Sequence, residues 1–268
     1  MLGETTMRTC KQIRTLLILS YVMGALTCTA GDPVMNTHAS IKAGMRSIRE
    51  FGVQPGNSPE TNAAALQEAI DWATSRGAAL FVEPSDEPYP VAGGVILRGN
   101  VSLVGVHGPV GRGTRHPDKP QPVGSVFSIV DKTRPFLTVE NATQVRGIQF
   151  WYPEQTLNDA TRIIEYPPTI QVSREKGAQG VTLSCLTFFG EYMAMDFKAT
   201  RQKICEQILI EHCYGYSLGG TDYCYDIPRI LHCHVNPANR RFIDGGHGRA
   251  VGTQRSVTSK VSPAGMAR

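Results

Sequence analysis

Aromatic residues are scarce in this chain, at 7% of 268 residues. No apolar run is long enough to favour a membrane-spanning helix; the clearest, over 16–26, falls well short of a bilayer's width. The middle of the chain is near neutral. The overall excess of +4 comes from Arg8, Lys11 and Arg14 at the front and from Arg240, Arg241, Arg249, Arg255, Lys260 and Arg268 at the back. A nucleic-acid partner would need a basic face on the folded part, so none is expected. A glycine-rich phosphate loop is missing as well, because Gly111-Arg112-Gly113-Thr114-Arg115 sits in a proline-rich stretch and reads as surface loop. Glycine and proline, by contrast, are plentiful (27 and 17), which implies many turns and few long helices.

The N-terminus has a basic start, the apolar run and then small residues ending at Ala30. That order is the layout of a secretory signal peptide over 1–30, with Met7 as an alternative start. The expected location is therefore secreted, periplasmic or cell-surface, with no membrane attachment once the signal is removed. Export would permit disulfides. Cleavage would remove Cys10 and Cys28 and leave Cys185, Cys205, Cys213, Cys224 and Cys233. An odd number of thiols in so long a chain does not make a small disulfide-rich scaffold.

One helix is legible, over 59–77. Pro59 and Thr61 suit its start, Gly77 suits its end, and Ala63, Leu66, Ile70 and Ala73 form an apolar stripe at helical spacing. From Gly93 onward helical periodicity gives way to short strands. Five segments share one pattern: VSLVGVHG from Val101, TQVRGIQF from Thr143, VTLSCLTF from Val181, ILIEHCYG from Ile208 and PRILHCHV from Pro228. Their first, third, sixth and eighth positions are apolar or small. This describes two short strands separated by a two-residue bend that resets which face points inward. The repeats begin 42, 38, 27 and 20 residues apart, the range of a solenoid whose turns must stack to bury a core. The expected product is an all-β, single-stranded parallel β-helix.

The bend explains an otherwise suggestive stretch. Between Leu209 and Pro237 the dipeptide His-Cys occurs twice, twenty residues apart, which resembles zinc spacing. In the repeat, however, His212 and His232 fall at the fifth position, with Gly105, Gly147 and Cys185 in the other turns. Glycine there suggests a positive φ, which histidine tolerates better than most residues. Cys213 and Cys233 fall at the sixth position, where other turns carry Val106, Ile148 and Leu186, and so read as small core hydrophobes. Imidazoles at the bend and thiols in the core would not converge on one ion, so no metal ligand set is assigned. A Cys213–Cys233 disulfide would have an acceptable Cα separation but parallel Cβ vectors, and hence strain.

The opening module, 49–106, resembles the right-handed β-helix of the pectate lyase superfamily, on the side of polygalacturonase-like glycoside hydrolases, pectate-lyase-like modules and phage tailspikes. The likeness rests on Phe51-Gly52, the helix with Leu66 to Ala73, Phe81-Val82-Glu83-Pro84, Tyr89 and the strand from Val101 to Gly105, with Pro55-Gly56-Asn57 where such proteins usually carry Asp-Gly. It covers about residues 45 to 237 and implies a right-handed β-helix over 31–237, with an N-terminal capping α-helix.

The same resemblance implies paired carboxylates on an exposed strand face. Thr221-Asp222 followed by Asp226-Ile227 looks like a stretched first acidic motif, and Gly246-His247-Gly248 matches the histidine motif. The catalytic candidates are thus Asp222 and Asp226 as acid and base, with His247 orienting substrate. No Asp-Asp pair occurs anywhere and no Arg-x-Lys follows His247. The expected partner is an acidic polysaccharide such as pectin. A hydrolase would need no cofactor; a lyase would need calcium, for which Asp222, Asp226 and Glu206 or Glu211 are the available oxygens. The missing pair keeps open a non-catalytic glycan-binding or adhesion module. Asn141-Ala142-Thr143 fits the N-glycosylation pattern. Beyond Val235 the ladder stops, and 238–268 reads as an irregular basic tail without a cap, as expected of a shortened solenoid.

Overall fold

A computed structural model describes residues 44–106, 124–155, 162–198, 205–215 and 229–235. They are mostly short parallel strands joined by bends, with an α-helix over Pro59–Thr74. Ser58 is the N-cap: its hydroxyl accepts the Thr61 N–H at 3.2 Å, and Pro59 occupies the first turn, where its missing N–H costs nothing. Thr61 is therefore the recipient of the cap rather than the cap itself. Regular helix stops at Thr74, short of the expected residue 77. The chain then closes around Gly77, at φ 60, with the Ala78 N–H donating to the Ala73 carbonyl at 3.0 Å.

The helix buries Leu66, Ala69, Ile70 and Ala73. Its polar contacts are as specific as its apolar ones. Buried Asn62 donates to the Gln54 and Pro90 carbonyls at 2.7 and 2.8 Å and accepts from the Gln54 N–H at 2.9 Å. The Gln67 amide accepts the Ile96 N–H at 2.8 Å and donates to the Ile96 carbonyl at 3.2 Å. It thereby pairs with an edge strand as a neighbouring strand would, which protects that edge.

Three parallel sheets hold most of the strands. Sheet A runs Met45–Ser47, Ala79–Val82, Ser102–Gly105, Gln144–Arg146, Thr182–Ser184, Leu209–Glu211 and Arg229–Leu231 in spatial order. Sheet B contains Tyr89–Val91, Ser125–Ile129, Ile148–Trp151, Thr187–Phe189, Tyr214–Gly215 and His234–Val235. Sheet C contains Val95–Leu97, Leu137–Val139, Ile170–Val172 and Met195–Asp196. From Ala79 to Asp196 the chain visits A, then B, then C in unbroken rotation, each strand pairing with its counterpart from the preceding visit. Between sheets C and A, the later visits add a short parallel pair, Ala178–Gln179 with Cys205–Glu206.

The register follows the sequence pattern. Leu103, Val145, Leu183, Ile210 and Ile230 form one inward row across sheet A. Phe127, Phe150 and Phe188 form another across sheet B, stacked at 6.4 and 5.1 Å between centroids. Cys213 and Cys233 are buried beside them, as thiols rather than a disulfide. Position eight of the later turns is Gly215, paired with Val235. An added Cβ at Gly215 would stand 2.9 Å from Glu191 Oε1, so a carboxylate lies where the phenylalanine stack ends.

The fifth-position expectation holds at Gly147, Cys185, His212 and His232, with φ between 52 and 67. It fails at Gly105, which continues the strand. Glycine is needed there for space, since a Cβ would meet the Gly147 carbonyl at 2.6 Å and Ser125 Cβ at 2.7 Å. Val106 departs too. It is 41% exposed, and Ser125 rather than Val106 aligns with Ile148. The chain leaves sheet A at Val106 and enters sheet B at Ser125, a neck closed by the Val106 N–H donating to the Ser125 hydroxyl at 2.8 Å and the Ser125 N–H to the Val106 carbonyl at 2.9 Å. The next residues of that repeat, including Gly108, lie outside the described ones.

A second bend column precedes sheet A, at Asn100, Ala142, Gly180 and Gln207, with φ from 53 to 68. Left-handed backbone costs a non-glycine residue about 1–2 kcal/mol. The ladder offsets this where the bend N–H still finds the adjoining turn: Ala142 to Gln179, Gly180 to Glu206, Cys185 to Glu211 and His212 to Leu231, at 2.7 to 3.1 Å. Replacing Cys185 by Gly should therefore change stability by no more than about 1 kcal/mol, whereas Val should cost about 1–3 kcal/mol. Leu183→Ala should cost about 2–5 kcal/mol through the cavity it leaves. Urea midpoints read all three, and equal stability of the Gly and Val variants would rule out bend strain.

Candidate functional site

The residues proposed from sequence, Asp222, Asp226 and His247, lie outside the described residues, as do Cys224, Lys260 and the tail. The His-Cys stretch is described at both of its copies. His212 and His232 are exposed at their bends and stack with centroids 5.0 Å apart and 14° between planes. Cys213 and Cys233 turn the other way. Their thiols lie 3.3 Å from the Glu211 and Leu231 carbonyls and 3.7 Å from the Leu183 and Ile210 carbonyls. Burial pushes the Cys213 thiol well above its ordinary range, so it is a poor nucleophile. Imidazoles and thiols thus face opposite sides of the backbone. Among the described residues no group of three or more His, Cys, Asp or Glu could hold a metal ion.

The best candidate surface is the outer face of sheet C. Alternation sends Val95, Leu97, Leu137, Val139, Ile170, Val172 and Met195 into the core. Register then aligns Ile96, Thr138, Gln171 and Asp196 as one outward row. Gln171 Nε2 donates to Thr138 Oγ1 at 3.2 Å. Asp196 Oδ1 accepts the Lys198 N–H at 2.9 Å, and its Oδ2 lies 3.3 Å from Arg174 Nη2. Beside the row, Lys176 Nζ and Glu140 Oε1 pair at 2.7 Å, and Arg98 Nε and Asp71 Oδ1 at 2.7 Å. Arg174 and Lys176 are 62% and 64% exposed, so both cations remain accessible to an anionic ligand. The row joins hydrogen-bonding groups at strand spacing to exposed positive charge, and the Asp196 carboxylate at its end is buried.

The corner between sheets B and C contributes buried polar groups. Tyr152 and Tyr166 meet edge to face at 4.7 Å, and the Tyr152 hydroxyl bonds the Thr169 hydroxyl. Burial pushes the Tyr152 phenol far up. Burial, then the charge of Glu154, pushes Tyr166 up to about 12. Among the described residues the buried Tyr166 hydroxyl has no hydrogen-bond partner. Glu191, fully buried, belongs to the same corner one turn later.

Sequence reading missed Asp196 and Glu191 because neither sits in an acidic motif. Asp196 was findable only through the register Gln171↔Asp196, and the sheet C strands lie outside the eight-residue repeat. The potential glycosylation site straddles a bend: Asn141 and Ala142 are exposed, while Thr143 is buried and donates to the Glu140 carbonyl at 2.9 Å.

A cleft of about 290 Å³ lies between the helix and sheet C, lined by Glu60, Gln67, Gly93, Gly94 and Arg134 among others. It is at the small end for a ligand site. Asp131 holds its rim. Its carboxylate accepts the Gly93, Thr133 and Arg134 N–H groups, the Thr133 hydroxyl and the Arg134 guanidinium at 2.7 to 3.1 Å. Burial alone would raise its pKa, but these donors outweigh it and hold the carboxyl far below the usual range. A depressed folded pKa gives stability that is complete above about pH 4 and is lost as pH falls further. Asp131→Asn should therefore be less stable than the parent at neutral pH by about 1–3 kcal/mol, with the gap narrowing in acid. Urea midpoints at neutral pH and near pH 3 measure this, and a gap independent of pH would refute it.

No known family model matches the chain, and no curated protein is similar to it. Among solved structures, a candidate glycosyl hydrolase from Parabacteroides merdae is 10% identical with a TM-score of 0.41, over 73% of this chain and 97% of that one. The ORF18 protein of Geobacillus virus E2 is 11% identical with a TM-score of 0.43, over 80% of this chain and 46% of that one. At these values neither likeness bears on activity.

Proposed function

We propose that this chain is a right-handed parallel β-helix of the pectate lyase superfamily, exported by its N-terminal segment, that acts on an acidic polysaccharide such as pectin. The rotation through three parallel sheets supports the architecture. One observation carries the functional reading: Thr138 and Gln171 in an outward row that ends at the buried Asp196 carboxylate, with exposed Arg174 and Lys176 beside it. A file of donors and acceptors repeated at about 4.8 Å, flanked by cations, suits an extended anionic chain better than a compact ligand.

In the hydrolase form, Asp222 and Asp226 supply acid and base and His247 orients the sugar, with an oxocarbenium-like transition state between the carboxylates. In the lyase form, Asp222 and Asp226, together with Glu206 or Glu211, provide oxygens for calcium, whose charge would acidify the proton to be removed. A second reading, a non-catalytic glycan-binding or surface-adhesion module, is favoured by the absence of any Asp-Asp pair.

The full chain should be incubated with pectins and alginate. Release of reducing ends without ultraviolet absorbance marks a hydrolase, both signals together mark a lyase, and retention without either marks a binder. In the enzymatic case Asp222→Ala should lower turnover by at least about 100-fold. Unchanged turnover would remove Asp222 from the mechanism. In every case Arg174→Ala with Lys176→Ala should weaken retention on pectin at low salt, and unchanged retention would move the binding face away from sheet C.

A further inference from the structure

We propose that His212 and His232 form a surface site for a borderline divalent transition-metal ion, the class of cation that imidazole nitrogen suits. Both residues occupy the same bend of consecutive turns, at φ 52, and both are exposed. Their rings already face one another at 5.0 Å.

The backbone fixes that pairing. The His212 N–H donates to the Leu231 carbonyl at 3.0 Å, and the register Glu211↔Leu231 and Tyr214↔His234 brackets the two bends. Ligands that are pre-placed have little chain freedom left to lose on binding. What remains is rotation of each ring about its last torsion, which is broad for an imidazole. That rotation turns one nitrogen of each ring toward a shared ion, and water completes the coordination.

The surroundings favour a cation. Half-buried Glu211 precedes His212, and half-buried Cys185 holds the same bend one turn earlier, at φ 53. Arg229 begins the last sheet A strand on the other outward row. Cys213 and Cys233 point into the core and take no part. Two nitrogens make a weaker, more exchangeable site than the four ligands of structural zinc. An ion held there would clamp one turn to the next and stabilise both by mass action.

Ni²⁺ alone is the probe, titrated calorimetrically into the full chain at about pH 8 and about pH 5.5, with thermal melting alongside; protons compete for the imidazoles at the lower value. His212→Asn and His232→Asn remove the imidazole while keeping a residue that accepts left-handed backbone. His212→Gly and His232→Gly serve if either Asn variant melts lower than the parent without metal. The expected result is one ion per chain at the higher pH, raised melting temperature, affinity weakened at least about tenfold in each single variant, and little change in Cys185→Ser. Nickel bound as tightly by the variants as by the parent would overturn the proposal, because the ion would then sit on other histidines. Loss of binding in Cys185→Ser alone would overturn it equally.

Discussion

Each turn of this chain passes its backbone hydrogen bonds to the next, at the bends as well as along the strands, and everything else in the structure depends on that transfer. A parallel strand cannot satisfy both edges by itself, and a turn of the chain cannot bury its own apolar face. The bends would ordinarily be weak points, because a change of direction releases N–H and C=O groups. Here the left-handed residues at 142, 180, 185 and 212 each keep their N–H on the adjoining turn. The local cost of a positive φ is offset by a bond that a right-handed bend would forfeit. Glycine, asparagine, alanine, glutamine, cysteine and histidine all occupy these columns, so the ladder rather than residue preference decides the conformation.

The same transfer dictates side-chain position. Once the inward row of sheet A is in register, the residue after the bend must begin an inward position on sheet B. That is why Ile148, Leu186, Cys213 and Cys233 are all buried. The His-Cys pairs are then two constraints written side by side. The histidine answers the bend and the cysteine answers the core. Their separation across the backbone accounts for the failure of the four-ligand reading and leaves the imidazoles facing each other outside.

Much of this was legible in the sequence because an eight-residue pattern reports two adjoining strands and the bend between them. The inward rows of sheets A and B and the conformation of His212 and His232 followed from it; the helix followed from its own periodicity and caps, and Cys185 takes the bend although cysteine fits that position less well. Sheet C and the second bend column were not legible, for a physical reason. Loops of differing length separate sheet B from sheet C, so no fixed spacing links a sheet C strand to the repeat. Ala142 and Gln207 also have no intrinsic preference for positive φ, and only the pairing with Gln179, Glu206 and their neighbours makes those positions left-handed. Gly105 misled in the opposite way. Its glycine answers the close approach of Gly147 and Ser125 rather than a bend.

The candidate site follows the same division. Inward positions are committed to packing and the bend backbone to the ladder, so on the proposed reading a polysaccharide would meet the outward rows and the loops that flank them. On sheet A the outward row through Val104, Arg146, Ser184, Glu211 and Leu231 alternates in charge and polarity without a common chemistry. On sheet C the row begins at Ile96 and is polar from Thr138 through Gln171 to Asp196, and its neighbouring cations extend into solvent. An acidic motif could not have revealed this surface, because its one carboxylate is isolated in sequence and gains its neighbours only when turns stack. A surface assembled one residue per turn is the kind that a repeating backbone can build, and it has the extended shape that a polymeric ligand requires.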